Sequence, residues 1–175
     1  MREGIDQKAF AAGKAVEIPL PAGAKTRYRT SSGKIEILNP AQAHPLPLYI
    51  PPHGGPDPFH LMTAPSLYAL NSSFREREDL RQKEQAMCLL MNPEDARLKS
   101  LQDGEPVIAF NECGEVSFIL KVTPKAPPHV VVAEGVWWLD HCPGSRSVNA
   151  LTSPRLTDQG SGSTFYDNKV DVRRA

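Results

Sequence analysis

Proline is the residue that most constrains what this chain can fold into, because its 175 residues include 17 prolines. Proline fixes the backbone φ angle and has no N–H to donate, so it interrupts helices and the inner strands of sheets. Prolines recur from Pro40 to Pro58, where they force an extended and irregular backbone that we interpret as a wrapping loop. The sequence therefore predicts a loop-rich fold that is not all-α.

Apolar patterns between the prolines predict several short strands and one helix. The clearest strand is Glu115–Val122, where four apolar side chains alternate with Glu115, Ser117, Ile119 and Lys121. A helix is predicted to begin at Pro93, because Asn92 suits the N-cap and proline suits the first helical position. The charge run Phe74–Gln85 is interpreted as a short solvated helix or loop. Shorter apolar runs predict further strands at Lys34–Leu38, Phe59–Thr63, Ala86–Met91, Pro106–Phe110 and Val130–Val132.

Several short strands with one capped helix predict a mainly β fold, a β-barrel. A chain of this length fits roughly one domain. Residues 1–33 carry little periodicity and several helix and strand breakers, so we interpret them as a lead-in or linker. Residues 34–175 are then the folded domain.

Charge and hydropathy exclude two classes of partner. Lys plus Arg and Asp plus Glu each number 20, so the formal net charge is zero and no long-range field would attract nucleic acid or an anionic membrane. The longest apolar runs are far shorter than the roughly 20 residues of a membrane-spanning helix. An anionic ligand must therefore be held by local contacts. The start of the chain does not read as a secretory signal, so the sequence leaves localisation open, with a slight preference for the cytoplasm.

The residues that usually bind metals or act as nucleophiles form no recognisable pattern. The cysteines Cys88, Cys113 and Cys142 fit neither a disulfide framework nor a Cys-x-x-Cys site. The five histidines are scattered, and no Gly-x-Ser-x-Gly elbow follows a strand. We therefore predict no metal ligand and no catalytic residue in this chain.

Eight segments of the chain form an ordered series of short motifs: 32–36, 61–63, 70–72, 92–96, 103–107, 135–138, 149–152 and 162–167. In this order they resemble the domain that ends molybdopterin oxidoreductases of the dimethyl-sulfoxide-reductase and formate-dehydrogenase type. The resemblance spans roughly residues 30–172 and depends on the order of the segments, since each one is a weak motif alone. The chain departs from the family in its proline-rich stretch and at Ala64–Pro65, after the threonine of the first loop.

The resemblance implies a double-psi β-barrel, with one or two short helices and long Pro/Gly-rich loops. It also implies binding of bis(molybdopterin guanine dinucleotide), with molybdenum or tungsten, as the carboxy-terminal domain of a larger oxidoreductase. The remaining catalytic domains of that parent are the implied partner. They would carry the [4Fe–4S] cluster and the metal ligand upstream, so this chain would not catalyse a reaction alone.

Cofactor contacts are predicted in three loops. Asn71 and Asn149 suit a pterin edge, because one asparagine side chain offers both a donor and an acceptor. The Gly160–Thr164 loop suits a pyrophosphate, through clustered N–H groups and hydroxyls. Trp137 and Trp138 are interpreted as packing against the missing catalytic part. The predicted cofactor-binding residues are Thr63, Ala64, Ser66, Leu70, Asn71, Ser72, Asn149, Ser163, Thr164, Phe165 and Tyr166.

The alternative is a stand-alone barrel, because this architecture hosts unrelated functions. It would serve as a substrate-recognition or interaction module, or as a decarboxylase that cleaves itself. Self-processing would use one of the Gly–Ser bonds at Gly144–Ser145, Gly160–Ser161 or Gly162–Ser163 and would split the chain into two masses.

Overall fold

A computed structural model of the chain describes residues 4–18, 20–24, 26–158 and 160–175. Parts of the predicted lead-in (1–3, Pro19, Lys25) and Gln159 in the glycine-serine loop lie outside the described residues. The chain divides into two compact units, Met1–Ile50 and Pro51–Ala175. No helix within the described ranges has the length and apolar character needed to cross a bilayer.

Among its described residues, the first unit contains one short helix, α1 (Gln7–Ala11), whose N-cap Asp6 accepts hydrogen bonds from the N–H groups of Lys8 and Ala9. The predicted strand Lys34–Leu38 is wrong: residues 34–38 form no strand in the described structure. Ile35 and Ile37 are 66% and 67% exposed, and no neighbouring backbone pairs with them. An alternating pattern becomes a strand only where a second strand supplies the hydrogen bonds.

The second unit is a closed barrel of six strands, in the order β1-β5-β2-β4-β3-β6. The strand pairs β1·β5 and β2·β4 are parallel, and the other four pairs are antiparallel. The prediction of a mainly β barrel with short helices and long loops is confirmed. The strands are β1 (Phe59–Ala64), β2 (Cys88–Met91), β3 (Pro106–Asn111), β4 (Gly114–Val122), β5 (Val130–Glu134) and β6 (Lys169–Arg174).

The barrel interior is filled by the inward positions of the strands. Alternation places Val116, Phe118 and Leu120 inside β4, each at most 2% exposed. β2 is buried at Leu89, Leu90 and Met91, as expected for a strand covered on both faces. These buried side chains hold the strands together, and the strands in turn position the loops at each end of the barrel.

Helices and 3₁₀ turns occupy the connections. α2 (Glu78–Glu84) precedes β2, and α3 (Pro93–Leu98) follows it. The helix predicted at Pro93 is confirmed: the Asn92 side chain accepts from the Glu94 N–H at 3.0 Å, and proline stands at the first helical position. Between β5 and β6 the chain makes three 3₁₀ turns, Leu139–His141, Pro143–Ser145 and Val148–Leu151.

Strand direction defines two ends of the barrel. β1, β3 and β5 run toward one end, which we call the groove end, and β2, β4 and β6 run away from it. The opposite end, which we call the α3 end, carries α3, the start of β3 and the end of β6.

Candidate functional site: a groove at one end of the barrel

A groove of about 270 Å³ opens beside the carboxyl ends of the parallel strands β1 and β5. The end of β1 supplies Thr63 and Ala64, and Gly135–Val136 follow β5 directly. The 3₁₀ turn Val148–Leu151 and the loop before β6 complete the lining. Segments far apart in sequence are thus brought together by the barrel topology.

Most of the predicted cofactor residues line this one groove. The structure places Leu70, Ser72, Ser163 and Thr164 outside its lining. The predicted residues that line the groove are Thr63, Ala64, Ser66, Asn71, Asn149, Phe165 and Tyr166.

The first loop is shaped by local hydrogen bonds. The Ser66 hydroxyl accepts from the Tyr68 N–H at 3.0 Å. Further along, Asn71 adopts a positive φ of 52°, a conformation that asparagine tolerates better than most residues. The Trp138 indole N–H donates to the Ser72 carbonyl at 2.7 Å, which fastens this turn. The Leu70 carbonyl accepts from the Ser73 N–H at 2.9 Å, so Leu70 and Ser72 support the position of Asn71 from outside the groove.

Asn149 is positioned by its neighbours on a 3₁₀ turn. Val148 and Leu151 of that turn are buried in the barrel core, whereas Asn149 is exposed. The core contacts therefore fix the turn and leave the Asn149 amide at the groove.

The third loop presents an aromatic pair. Phe165 and Tyr166 lie with ring centroids 4.2 Å apart at an interplanar angle of 45°, and both are exposed. The Asn168 side chain donates to the Phe165 carbonyl at 2.7 Å and accepts from the Ser153 N–H at 3.3 Å. Asn168 is 6% exposed, so this buried amide holds both sides of the loop together.

The glycine-serine segment folds back on itself. The Thr164 hydroxyl is buried and donates to the Arg155 carbonyl at 2.8 Å, and the Gly162 N–H donates to the Thr157 hydroxyl at 2.9 Å. These groups are used inside the loop, which explains why Ser163 and Thr164 do not line the groove. Sequence alone could not separate a hydroxyl bonded within its loop from one available to a ligand.

The asparagines of the second unit fall into two groups. Asn92, Asn111 and Asn168 each make side-chain hydrogen bonds to the backbone. Among the described residues, the side chains of Asn71 and Asn149 make no hydrogen bond, and the same is true of the Thr63 hydroxyl. The groove thus gathers donors and acceptors that the fold itself does not use, and a pterin edge with its dense donors and acceptors requires such a set.

The sequence interpretation of residues 74–85 missed the most important side chain of that segment. Helix α2 is present, but Arg75 just before it is only 1% exposed. Its guanidinium forms an ion pair with Glu84, and its Nε donates to the Val136 carbonyl at 3.0 Å. A charge run gives no signal that one of its members is buried.

The interpretation of Trp137 also needs correction. Trp137 is 8% exposed and packs inside this domain against Arg75, so its ring is not available to pack against another domain. Asp95, in the first turn of α3, is 3% exposed and accepts from the His129 N–H at 2.7 Å. This bond anchors the loop that leads into β5.

The cysteines differ in their environments. Burial raises the pKa of the Cys88 and Cys142 thiols, so both are protonated at neutral pH. Cys142 donates its thiol proton to the Trp138 carbonyl at 3.2 Å, whereas Cys113 is exposed. Within the described ranges, no three His, Cys, Asp or Glu residues are grouped to hold a metal ion.

The fold has a counterpart among solved structures. Acetylene hydratase from Pelobacter acetylenicus superposes with a TM-score of 0.62 at 19% sequence identity. The match covers 94% of this chain and 24% of that one. The barrel therefore has the fold of one part of a much larger protein.

Sequence comparison then identifies the family. The model of the molydopterin dinucleotide binding domain matches residues 59–169, which include all the groove-lining segments. This chain belongs to that family, and the resemblance inferred from the ordered motifs is confirmed. A molybdopterin dinucleotide is accordingly the cofactor of this domain.

The curated relatives are oxidoreductases. A probable oxidoreductase of Bacillus subtilis is 34% identical over 150 residues, covering 83% of this chain and 22% of the relative. A dimethyl sulfoxide reductase of Haemophilus influenzae is 29% identical over 170 residues, covering 83% of this chain and 21% of the relative. The chain thus spans about a fifth of the length of these relatives and matches their carboxy-terminal part.

Proposed function

We propose that the groove is where this domain binds the dinucleotide, and that the ligand is a molybdopterin guanine dinucleotide of a bis-type molybdenum or tungsten centre. The observation that carries this proposal is the convergence of three distant segments on one groove, with side chains left free of internal hydrogen bonds.

The groove chemistry suggests a division of roles. Thr63, Asn71 and Asn149 each offer both a donor and an acceptor for hydrogen bonds with the edge of a heterocycle. Phe165 and Tyr166 offer exposed ring faces on which a flat heterocycle can stack. Hydrogen bonds to charged groups contribute about 1.5 to 3 kcal/mol each, so a few contacts hold an anionic ligand without a basic surface.

The partner in this proposal is the remainder of a parent oxidoreductase. The two relatives described above are between four and five times longer than their matched part, and one of them is named for the reduction of dimethyl sulfoxide. We propose that the parent performs a two-electron oxidation or reduction, with its metal ligand and [4Fe–4S] cluster outside this chain. The domain boundary near residue 33 belongs to the same proposal.

Nucleotide titration of the isotope-labelled chain tests the groove. GDP is the probe, because it is the soluble half of the dinucleotide. We expect amide shifts confined to Thr63–Ser72, Gly135–Val136, Asn149 and Phe165–Tyr166, and a weaker response to ADP.

A variant pair provides the control. Asn149→Ala should weaken GDP binding, whereas Asn39→Ala, at an exposed asparagine of the first unit, should not. Shifts spread evenly over the barrel surface, or equal binding by the two variants, would argue against this groove as the site.

A further inference from the structure

Arg75 is the most deeply buried charged side chain in the described part of the chain, at 1% exposed. A buried charge is costly unless it is paired and hydrogen-bonded. Arg75 meets that requirement through Glu84, whose side chain is 12% exposed. The pair therefore demands a specific arrangement of the surrounding backbone.

That arrangement centres on the turn after β5. The Arg75 Nε donates to the Val136 carbonyl at 3.0 Å, and the guanidinium lies 4.4 Å from the ring centroid of Trp137. Arg81 in turn donates to the Arg75 carbonyl. The guanidinium thus contacts two consecutive residues of this turn, one through its carbonyl and one through its ring.

Gly135 shows how tightly the turn and the guanidinium fit. Its φ is +76°, and a Cβ at this position would collide with Nη2 of Arg75 and lie 3.1 Å from the Ser66 Cβ. The Gly135 N–H donates to the Ala64 carbonyl at 2.8 Å. Gly135 is therefore held between the end of β1 and the Arg75 side chain.

Gly135, Val136, Ala64 and Ser66 all line the groove. We infer that Arg75 is a positioning residue for the dinucleotide: its guanidinium, locked by Glu84 and Trp137, fixes the turn that forms one wall of the groove. This inference rests on the proposed function of the groove. It adds a residue that does not line the groove but holds the turn that does.

The role is geometric because the Arg75 charge is already neutralised. The Glu84 carboxylate accepts hydrogen bonds from both Nη1 and Nη2 of Arg75, with the Nη2–Oε1 distance at 3.4 Å. A lysine at this position keeps the charge but lacks the planar fork that contacts Glu84, Val136 and Trp137 together. Arg75→Lys and Arg75→Met should therefore perturb the groove in the same direction.

Two readouts on the isotope-labelled chain test the inference. Without nucleotide, both variants should shift the Gly135 and Val136 amide resonances, which report the conformation of the turn. With GDP as the probe, both should raise Kd about tenfold, the equivalent of about 1.4 kcal/mol.

The matched control is Val107→Ala, in a fully buried residue at the α3 end of the barrel. It destabilises the fold by a cavity without touching the groove. Even if Val107→Ala lowers the midpoint of urea unfolding as much as the Arg75 variants do, it should leave the Gly135 resonance and the GDP Kd unchanged.

The outcomes separate the two proposals. If the unsubstituted chain binds no GDP but Arg75→Lys still shifts the Gly135 and Val136 resonances, the groove proposal fails and the positioning of the turn stands. If the Arg75 variants leave the turn unchanged, or change Kd no more than Val107→Ala does, the positioning inference is overturned even though the groove binds GDP.

Discussion

The two ends of the barrel use their polar side chains in opposite ways. At the α3 end, Asp95 holds His129, Asn92 caps its helix and Arg174 pairs with Glu105. At the groove end, Asn71 and Asn149 make no side-chain hydrogen bonds within the described structure. The α3 end thus uses its polar side chains within the fold, whereas the groove end leaves two asparagine side chains without an internal partner among the described residues, as the proposed binding role requires.

The groove end also contains supporting residues, so the contrast applies to individual side chains. Asn111 donates to the carbonyls of Leu151 and Lys169, and Asn168 holds the aromatic loop. Asn111 is partly buried and Asn168 is buried, and together they brace the loops beside the groove. Substitutions at the α3 end should therefore affect stability alone, whereas substitutions of the supporting residues at the groove end should affect both stability and binding.

The largest loss of stability is expected for Glu84→Gln. Removing one partner of a buried ion pair leaves Arg75 without a countercharge and should lower the free energy of unfolding by about 3 to 5 kcal/mol. Urea unfolding at neutral pH measures it. Glu94→Gln, in an exposed pair with Arg97, is the control and should change stability by less than about 1 kcal/mol. Equal effects would show that the Arg75 pair is solvated.

Asp95→Ala should cost less, because it removes a hydrogen bond at the α3 end and no buried cation loses its partner. The unpaired His129 N–H should lower stability by about 1 to 3 kcal/mol. GDP binding should stay unchanged. A change in Kd with this variant would break the separation between the two ends.

A smaller loss is expected for Asn92→Ala. The variant removes the N-cap of α3 and the bond to the Ala126 carbonyl at 2.9 Å, and a lost cap typically costs about 1 kcal/mol. Thermal unfolding should show a lower Tm. Asn92→Asp keeps the cap to the Glu94 N–H and should recover part of the loss.

The smallest change in stability is expected for Asn149→Ala. The side chain makes no internal bond, so the free energy of unfolding should change by less than about 0.5 kcal/mol. Nucleotide binding should nevertheless weaken, as measured by titration with GDP. A destabilised variant with unchanged binding would reverse the role assigned to Asn149.

Sequence patterns predicted the barrel better than they predicted the site. Alternation in β4 and the cap at Asn92 are local signals, and local signals survive folding when long-range contacts agree with them. The Lys34–Leu38 pattern failed because strand formation needs a partner that the pattern cannot supply. Family order located Asn71 and Asn149, although nothing in their neighbourhood marks them as free.

Arg75 and Thr164 show why the rest of the site was not predictable. Arg75 stands in a run of charges whose solvent exposure depends on where Glu84 and Trp137 arrive in space. Thr164 carries a hydroxyl suited to a phosphate, yet the Arg155 carbonyl already uses it. The burial of Arg75 depends on contacts with residues that come close only in the folded chain. The use of the Thr164 hydroxyl depends on the path of an irregular loop. Local sequence patterns indicate neither of these contacts.

The parallel pairing of β1 with β5 has a consequence for how the protein matures. The two strands begin at Phe59 and Val130, and β1 also pairs with the last strand, β6. The groove wall is therefore completed only after nearly the whole domain has been synthesised. In the proposed groove, the dinucleotide can accordingly bind only after β6 has been translated, because β6 pairs with β1 and directly follows the loop that carries Phe165 and Tyr166.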